Sequence, residues 1–462
     1  MILGEEMGNQ YVLPRPHEIM DGTPTVSLDV ENYPSNYYAS IVHSQRIALV
    51  SSFTFESGVT LESVPVAYST WGTLNAQRDN VLVVCHALTG SSDVFDWWRP
   101  LMGPGKALDY SRYFIFCGNV LGSPYGSASP LSINPATGRP YGPEFPETTV
   151  RDDVQIHKLV LDAIGARSVA AVIGGSMGGM TTLEWPLCTR EGYIRNIIPI
   201  TTSAYQGAWG ISWGETQRQA VYSDSAFKKG WYDATPKGQP QKGLGTARMI
   251  AMLTYRSHGS FEARFSRKPA PKTKKIAKPA ALPTPPQSHR GSISFENEVQ
   301  EKANPSVKFS AQSYLQYQAD KFLNRFDANC YVHLTQKMDS HDVRGSHLSR
   351  LDSTSVCASS YPPTEDQLRY VFKNIPPQAL VVSVETDVLF RPEQQVELAD
   401  CLPGAKYVAL SSPDGHDGFL LEFETLNKMV VQHLKERCPH MYAGMTEAAE
   451  EGGLWGGVFL YF

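Results

Sequence analysis

Between residues 51 and 64, apolar and polar positions alternate, the pattern of strands with one buried face. Residues 68–72 continue it as an edge strand. Beyond them the pattern changes to short, mostly apolar runs at 81–85, 113–117, 169–173, 194–200, 380–384 and 407–410. Parallel strands covered on both faces need such runs. Over 152–164, Val154, Ile156, His157, Val160, Leu161 and Ile164 recur at helical spacing. Strands alternating with helices predict an α/β fold with a mostly parallel central sheet.

Two stretches break the alternation. Residues 205–340 carry helical patterns and few strand-like runs, which predicts a helical lid inserted into a core of 46–204 and 341–440. Within the lid, residues 267–290 hold six prolines, seven Lys or Arg and no acid. That composition buries too little apolar surface to offset its ordering entropy, so a disordered basic loop is expected. Residues 1–45 are polar, carry Pro14, Pro16, Pro24 and Pro34, and read as a flexible N-terminal arm. Residues 441–462 form a C-terminal tail whose apolar end is too short to span a bilayer.

Composition narrows the function classes. The chain has 462 residues, 42% of them hydrophobic and only 19% charged, enough for a large core and too apolar for a disordered protein. A formal charge of −5 argues against a nucleic-acid binder. No apolar run approaches the length of a membrane helix, and the first residues lack the basic start of a secretory signal. The cysteines Cys85, Cys117, Cys188, Cys330, Cys357, Cys401 and Cys438 are scattered, odd in number and without C-x-x-C spacing. Neither a disulfide framework nor a metal site is expected, and reduced thiols suit a cytoplasmic enzyme.

The chemistry concentrates at Gly174-Gly175-Ser176-Met177-Gly178-Gly179, between the 169–173 strand and a helical pattern at 180–187. G-x-S-x-G in that setting is a nucleophile elbow. The tight turn tolerates only small neighbours and presents the Ser176 hydroxyl at the carboxyl end of the sheet. A hydroxyl needs a base, and the chain order for this fold is Ser, acid, His. His416 follows the last strand run between glycines and is the candidate base, with His341 as the alternative. The acid should follow the 380–384 strand, where Glu385 and Asp387 both stand. Asp387 is favoured because it lies further into the loop, able to turn toward His416 and hold its tautomer. An oxyanion hole needs two backbone N–H donors. Met177, after the nucleophile, supplies one, and Leu88, in the loop after the 81–85 strand, the other.

Residues 85–90, 121–130, 149–153, 174–180, 313–318, 326–330 and 415–418 together resemble the fungal-type homoserine O-acetyltransferases of the α/β-hydrolase superfamily. The resemblance spans about residues 48–435. It implies acetyl transfer from acetyl-CoA, as co-substrate, to the hydroxyl of L-homoserine, with no further cofactor, through Ser176, Asp387 and His416. It also implies that Arg248 and Tyr255 contact the acceptor, that Asp417 receives its ammonium, and that Thr89 stands near the oxyanion loop. Seven residues are about two helical turns, so Arg248 and Tyr255 can face one cavity. An arginine fork suits a carboxylate. A homodimer is expected, with no nucleic-acid or membrane partner. The same triad would also serve an acyltransferase using serine, deacetylcephalosporin C or a succinyl donor, or an esterase-type hydrolase.

Overall fold

The computed structural model describes residues 24–31, 33, 36–270, 308–345 and 362–443. Among these, nine strands join into one sheet. They are β1 (Val26–Ser27), β2 (Arg46–Thr54), β3 (Thr60–Trp71), β4 (Val81–Cys85), β5 (Phe114–Gly118), β6 (Val169–Gly175), β7 (Ile197–Ile200), β8 (Leu380–Val384) and β9 (Lys406–Leu410). Their order is β1-β2-β3-β5-β4-β6-β7-β8-β9. Pairs β1–β2, β2–β3 and β3–β5 are antiparallel, and all others are parallel.

The apolar runs explain the parallel part. Every residue of β4, β5, β6 and β8 is buried. Alternate residues enter opposite cores: Val81, Val83, Phe114 and Phe116 on one face, Leu82, Val84, Ile115 and Cys117 on the other. The last strand, β9, is the sheet edge, and its exposed Lys406 suits that place.

Residues 68–72 do not form a separate edge strand. Tyr68–Trp71 instead end β3, which runs unbroken from Thr60, pairs with β2 as far as Tyr68 and then zips Tyr68–Trp71 onto β5. Part of the flexible arm expected at 1–45 is built into the fold. Val26 pairs with Val50, and Tyr38 is fully buried in the apolar cluster that includes Phe326 and Tyr331. The aromatic content of 33–38 offsets the prolines. Residues 1–23 lie outside the described residues.

Between β7 and β8 stand the helices that roof the sheet. The helix following β5, α1 (Val150–Ile164), opens on a Thr149–Asp152 capping box and stops at Gly165, φ 97°. After β6 comes α2 (Met177–Cys188). The insertion holds α3 (Ala208–Tyr222), α4 (Gln241–Tyr255), α5 (His258–Arg264), α6 (Ser310–Leu323) and α7 (Ala328–Asp339). Its underside packs Phe322, Tyr331 and Leu334 onto Met177 and Met180 of α2. Lys337 of α7 reaches the core: its Nζ lies 2.8 Å from Asp153 Oδ2 and 2.7 Å from the Leu121 carbonyl, all fully buried. The basic loop expected at 267–290 lies outside the described residues beyond Ala270. The expected tail begins at 441, yet Tyr442 still packs on Tyr113 and under Arg112, and residues 444–462 are not described. No helix among the described residues is long and apolar enough to cross a membrane.

Candidate active site

The elbow is held through its own backbone, by one backbone carbonyl and one side-chain hydroxyl. Ser176 has φ 60° and ψ −128°, a conformation L-residues avoid, so its surroundings must impose it. Its N–H donates to Ile200 O at 3.0 Å, and its carbonyl accepts from Thr202 Oγ1 at 2.9 Å. Gly178 and Gly179 permit this closeness. A Cβ on Gly178 would strike the Cys85 carbonyl, and one on Gly179 would lie 2.5 Å from Thr202 Cβ. The elbow is thus wedged between β4 and β7. Met177 opens α2, so its N–H has no carbonyl of its own helix to reach.

His416 sits in the loop after β9. Its Nδ1 lies 2.7 Å from Asp387 Oδ2. The other Asp387 oxygen accepts N–H bonds from Leu389 at 2.8 Å and Phe390 at 2.9 Å, which fixes the carboxylate. Burial lowers the His416 pKa, but the Asp387 charge and hydrogen bond outweigh it, with Asp417 adding, and the net shift is upward. The ring packs between Phe390 and Phe419, at 5.4 and 5.5 Å between centroids. Glu385 is exposed, and His341 is buried with Nε2 3.3 Å from Glu184, so neither alternative joins this group.

A cavity of about 200 Å³ joins these parts. Its floor carries Leu88, Thr89, Ser176, His416 and Asp417, and its roof Arg248, Tyr255 and Tyr314 from α4 and α6. Seven positions apart on α4, Arg248 and Tyr255 do face one space, and the guanidinium lies 5.5 Å over the Tyr255 ring. Arg248 Nε and Nη1 are buried without a hydrogen-bond partner. Such donors are costly to strip of water unless an anion meets them. Burial pushes the Asp417 carboxyl up, while Arg256 and His416 pull it down without cancelling the rise.

Sequence reasoning missed Arg256, which follows Tyr255 at the end of α4. Its Nε lies 3.1 Å from Asp417 Oδ2 and its Nη1 2.6 Å from Asp414 Oδ1. More than 150 residues separate these partners, so no local pattern could pair them. His86 was also missed. Its Nε2 accepts from Val120 N–H at 3.1 Å, and its Nδ1 meets the Ala87 carbonyl at 2.8 Å, which braces the Leu88 loop. Burial lowers its pKa to about 4, so it is neutral. No cluster of three or more His, Cys, Asp or Glu able to hold a metal occurs among the described residues.

Residues 80–423 match the family model for the alpha/beta hydrolase fold. The homoserine O-acetyltransferase of Cryptococcus neoformans var. grubii is 46% identical, over 93% of this chain and 95% of that protein. Those of Emericella nidulans and Saccharomyces cerevisiae are 45% and 41% identical, covering 94% and 93% of this chain and 95% and 93% of theirs. Among solved structures, the homoserine O-acetyltransferase from Bacillus anthracis superposes with TM-score 0.68 at 23% identity, over 85% of this chain and 98% of that one. Esterase E22 superposes with TM-score 0.65 at 22% identity, over 85% and 99%. These two likenesses speak for the fold. Matched over more than nine-tenths of its length by fungal proteins 41–46% identical to it, the chain belongs to the homoserine O-acetyltransferase family.

Proposed function

We propose that this protein transfers acetyl from acetyl-CoA to the hydroxyl of L-homoserine through an acetyl-Ser176 intermediate. In the first half-reaction His416 Nε2 takes the Ser176 proton while Oγ attacks the thioester carbonyl. Asp387 orients the ring and stabilises the imidazolium. The Leu88 and Met177 N–H groups receive the oxyanion. The CoA thiolate leaves and takes the proton from His416. In the second, His416 accepts the homoserine hydroxyl proton as that oxygen attacks the acetyl carbon, the bond from that carbon to Ser176 Oγ breaks, and Oγ takes the proton back from His416. Arg248 takes the acceptor carboxylate and Asp417 its ammonium. Tyr255 and Thr89 line the acceptor's path. Acetyl-CoA is a co-substrate, and no further cofactor enters these steps. A cytoplasmic homodimer is the expected state.

The observation that carries this reading is Arg248: two buried, unpartnered N–H groups in the cavity that holds Ser176 and His416. A carboxylate on the acceptor meets them with both hydrogen-bond acceptors and the opposite charge, which a neutral water molecule does not carry. The test is a donor–acceptor matrix, acetyl-CoA or succinyl-CoA against homoserine, serine and water. Acetyl-CoA with homoserine should dominate. Fastest turnover with water would make the protein a hydrolase, and a preference for serine or succinyl-CoA would move it to a related acyltransferase.

A further inference from the structure

The roof and the His416 loop meet at one side chain. Arg256 is 8% exposed and ends the helix that carries Arg248 and Tyr255. It reaches a carboxylate on either side of His416: Asp414 two residues before it and Asp417 directly after. Asp414 Oδ1 also accepts from Ser260 Oγ at 2.5 Å, and Ser257 Oγ donates to the Pro413 carbonyl. Between these, Gly415 has φ 69°, and a Cβ there would lie 2.5 Å from Ser257 N and 2.7 Å from Arg256 C. The backbone of the α4–α5 junction therefore rests directly on the loop that presents His416.

We propose that Arg256 is a positioning residue for the reaction, fixing both flanks of His416 to the roof of the cavity and holding Asp417 where the acceptor meets it. Two features support this. First, the contacts straddle the histidine, so loss of the guanidinium frees the loop on both sides of the ring. Second, the charges fit. Two carboxylates against one guanidinium leave one negative charge, which one ammonium neutralises. Arg256 Nε lies at ion-pair distance from Asp417, yet it is buried without an aligned hydrogen bond. That leaves Asp417 placed by the charge of Arg256 with its oxygens still able to accept from an incoming amine. The part about the amine rests on the acetyl transfer proposed above; the part about His416 does not.

The ionisable groups that bear on His416 are known. Asp387 faces it from the loop after β8, and Asp414 and Asp417 from its own loop. From the roof come Arg248, Arg256 and Tyr255 of the α4 end, Arg264 of α5 and Tyr314 of α6. Removing Arg256 takes away a positive charge beside two carboxylates, which favours the protonated imidazole. The full-length Arg256→Gln and Arg256→Lys proteins are to be compared with wild type. Acylation by p-nitrophenyl acetate reads His416 whatever the natural acceptor is. For Arg256→Gln its acid limb should move up by about one pH unit, and Arg256→Lys should return most of that shift. The KM for homoserine should rise about tenfold in Arg256→Gln, and in an Asp417→Asn background the same change should alter KM little. A uniform fall in acylation rate at every pH, unrescued by Lys, makes Arg256 only structural and overturns the proposal. If Arg256→Gln does not fold, Arg256→Lys decides. One ammonium cannot span both carboxylates, so kcat must fall while the acid limb stays, and an unchanged kcat overturns the proposal. Wild type that acylates but ignores homoserine removes the function above and leaves the acylation result to judge Arg256.

Discussion

The floor and the roof of the cavity are built by different means. The floor hangs on strand ends. Ser176, Asp387 and His416 each follow a strand, the first two a fully buried one and His416 the edge strand β9, and backbone hydrogen bonds or close glycine contacts set each one. The roof comes from helices inserted between β7 and β8, joined to the floor through side chains: Lys337 to Asp153, Arg256 to Asp414 and Asp417, and an aromatic underside. The difference divides the chemistry. On the proposed mechanism, nucleophile, base and acid follow sheet strands, whereas the groups assigned to the acceptor are shared: Arg248 and Tyr255 come from the insertion, Thr89 and Asp417 from the floor. A roof can therefore change its occupant while the floor keeps its reaction.

The largest effect should come from the floor. Ser176→Ala should lower acetyl transfer by roughly 10⁴-fold or more, since triad members act as a unit. The acetyl adduct seen by intact-mass analysis after acetyl-CoA treatment should vanish. An adduct that persists in this variant would put the nucleophile elsewhere and erase the division drawn above.

Next comes the joint between floor and roof. Lys337→Met leaves Asp153 charged, buried and unpaired, at a cost of about 3–5 kcal/mol. Calorimetry should show a markedly lower Tm. Lys337→Met with Asp153→Leu should recover much of it, because no charge is then stranded. Failure of the double variant to recover would mean that packing, not charge, joins the two regions.

Then the roof alone. Arg248→Ala should weaken the transfer step by roughly 2–4 kcal/mol, the scale for losing one partner of a desolvated charge pair. The burst of free CoA should survive, because acylation does not need that guanidinium. Arg248→Lys should recover part, since an ammonium cannot reproduce the fork. Equal loss in both half-reactions would show that the roof also serves the nucleophile.

The smallest effect per residue and per pH unit is spread over both regions. Burial lowers the pKa of His86, His157 and His433 to about 4 and of His333 to about 3. Their ordinary value is 6.5. Below it the unfolded chain takes up protons that the folded chain refuses. Each contributes stability present above pH 6.5 and lost as pH falls toward its folded value, at most about 1.4 kcal/mol per pH unit. His416, with its raised pKa, works the other way and offsets little. Urea titrations should show stability falling steadily from pH 6.5 to 4. A flat profile would mean that these histidines are protonated in the fold.

The sequence carried the floor well, because its cues are local. The apolar run at 81–85 is β4, and the glycines around Ser176 are there because carbonyls and Thr202 leave no room for a Cβ. His416 and Asp387 could be placed because each follows a strand run. The roof was harder. Arg248 and Tyr255 emerged from a family resemblance, and Arg256 not at all, since its meaning lies in two carboxylates far along the chain. Residues 24–45 looked like an arm because prolines and polar residues dominate there. The burial of Tyr38 in the cluster that holds Phe326 and Tyr331 is a tertiary fact that local composition does not encode.

The buried Lys337 has one more consequence, in the order of assembly. Its carboxylate partner is 184 residues away, and its carbonyl partner on Leu121 is 216 away. Contacts that close such long loops form late, because chain entropy must be overcome before they return any energy. A lysine that meets the core before its partner is in place would have to lose its water for nothing. Docking of the roof should therefore be a separate, slow event on refolding from urea. Secondary structure would return first and acetyl transfer last, with the interval set by the time the chain takes to bring α7 home.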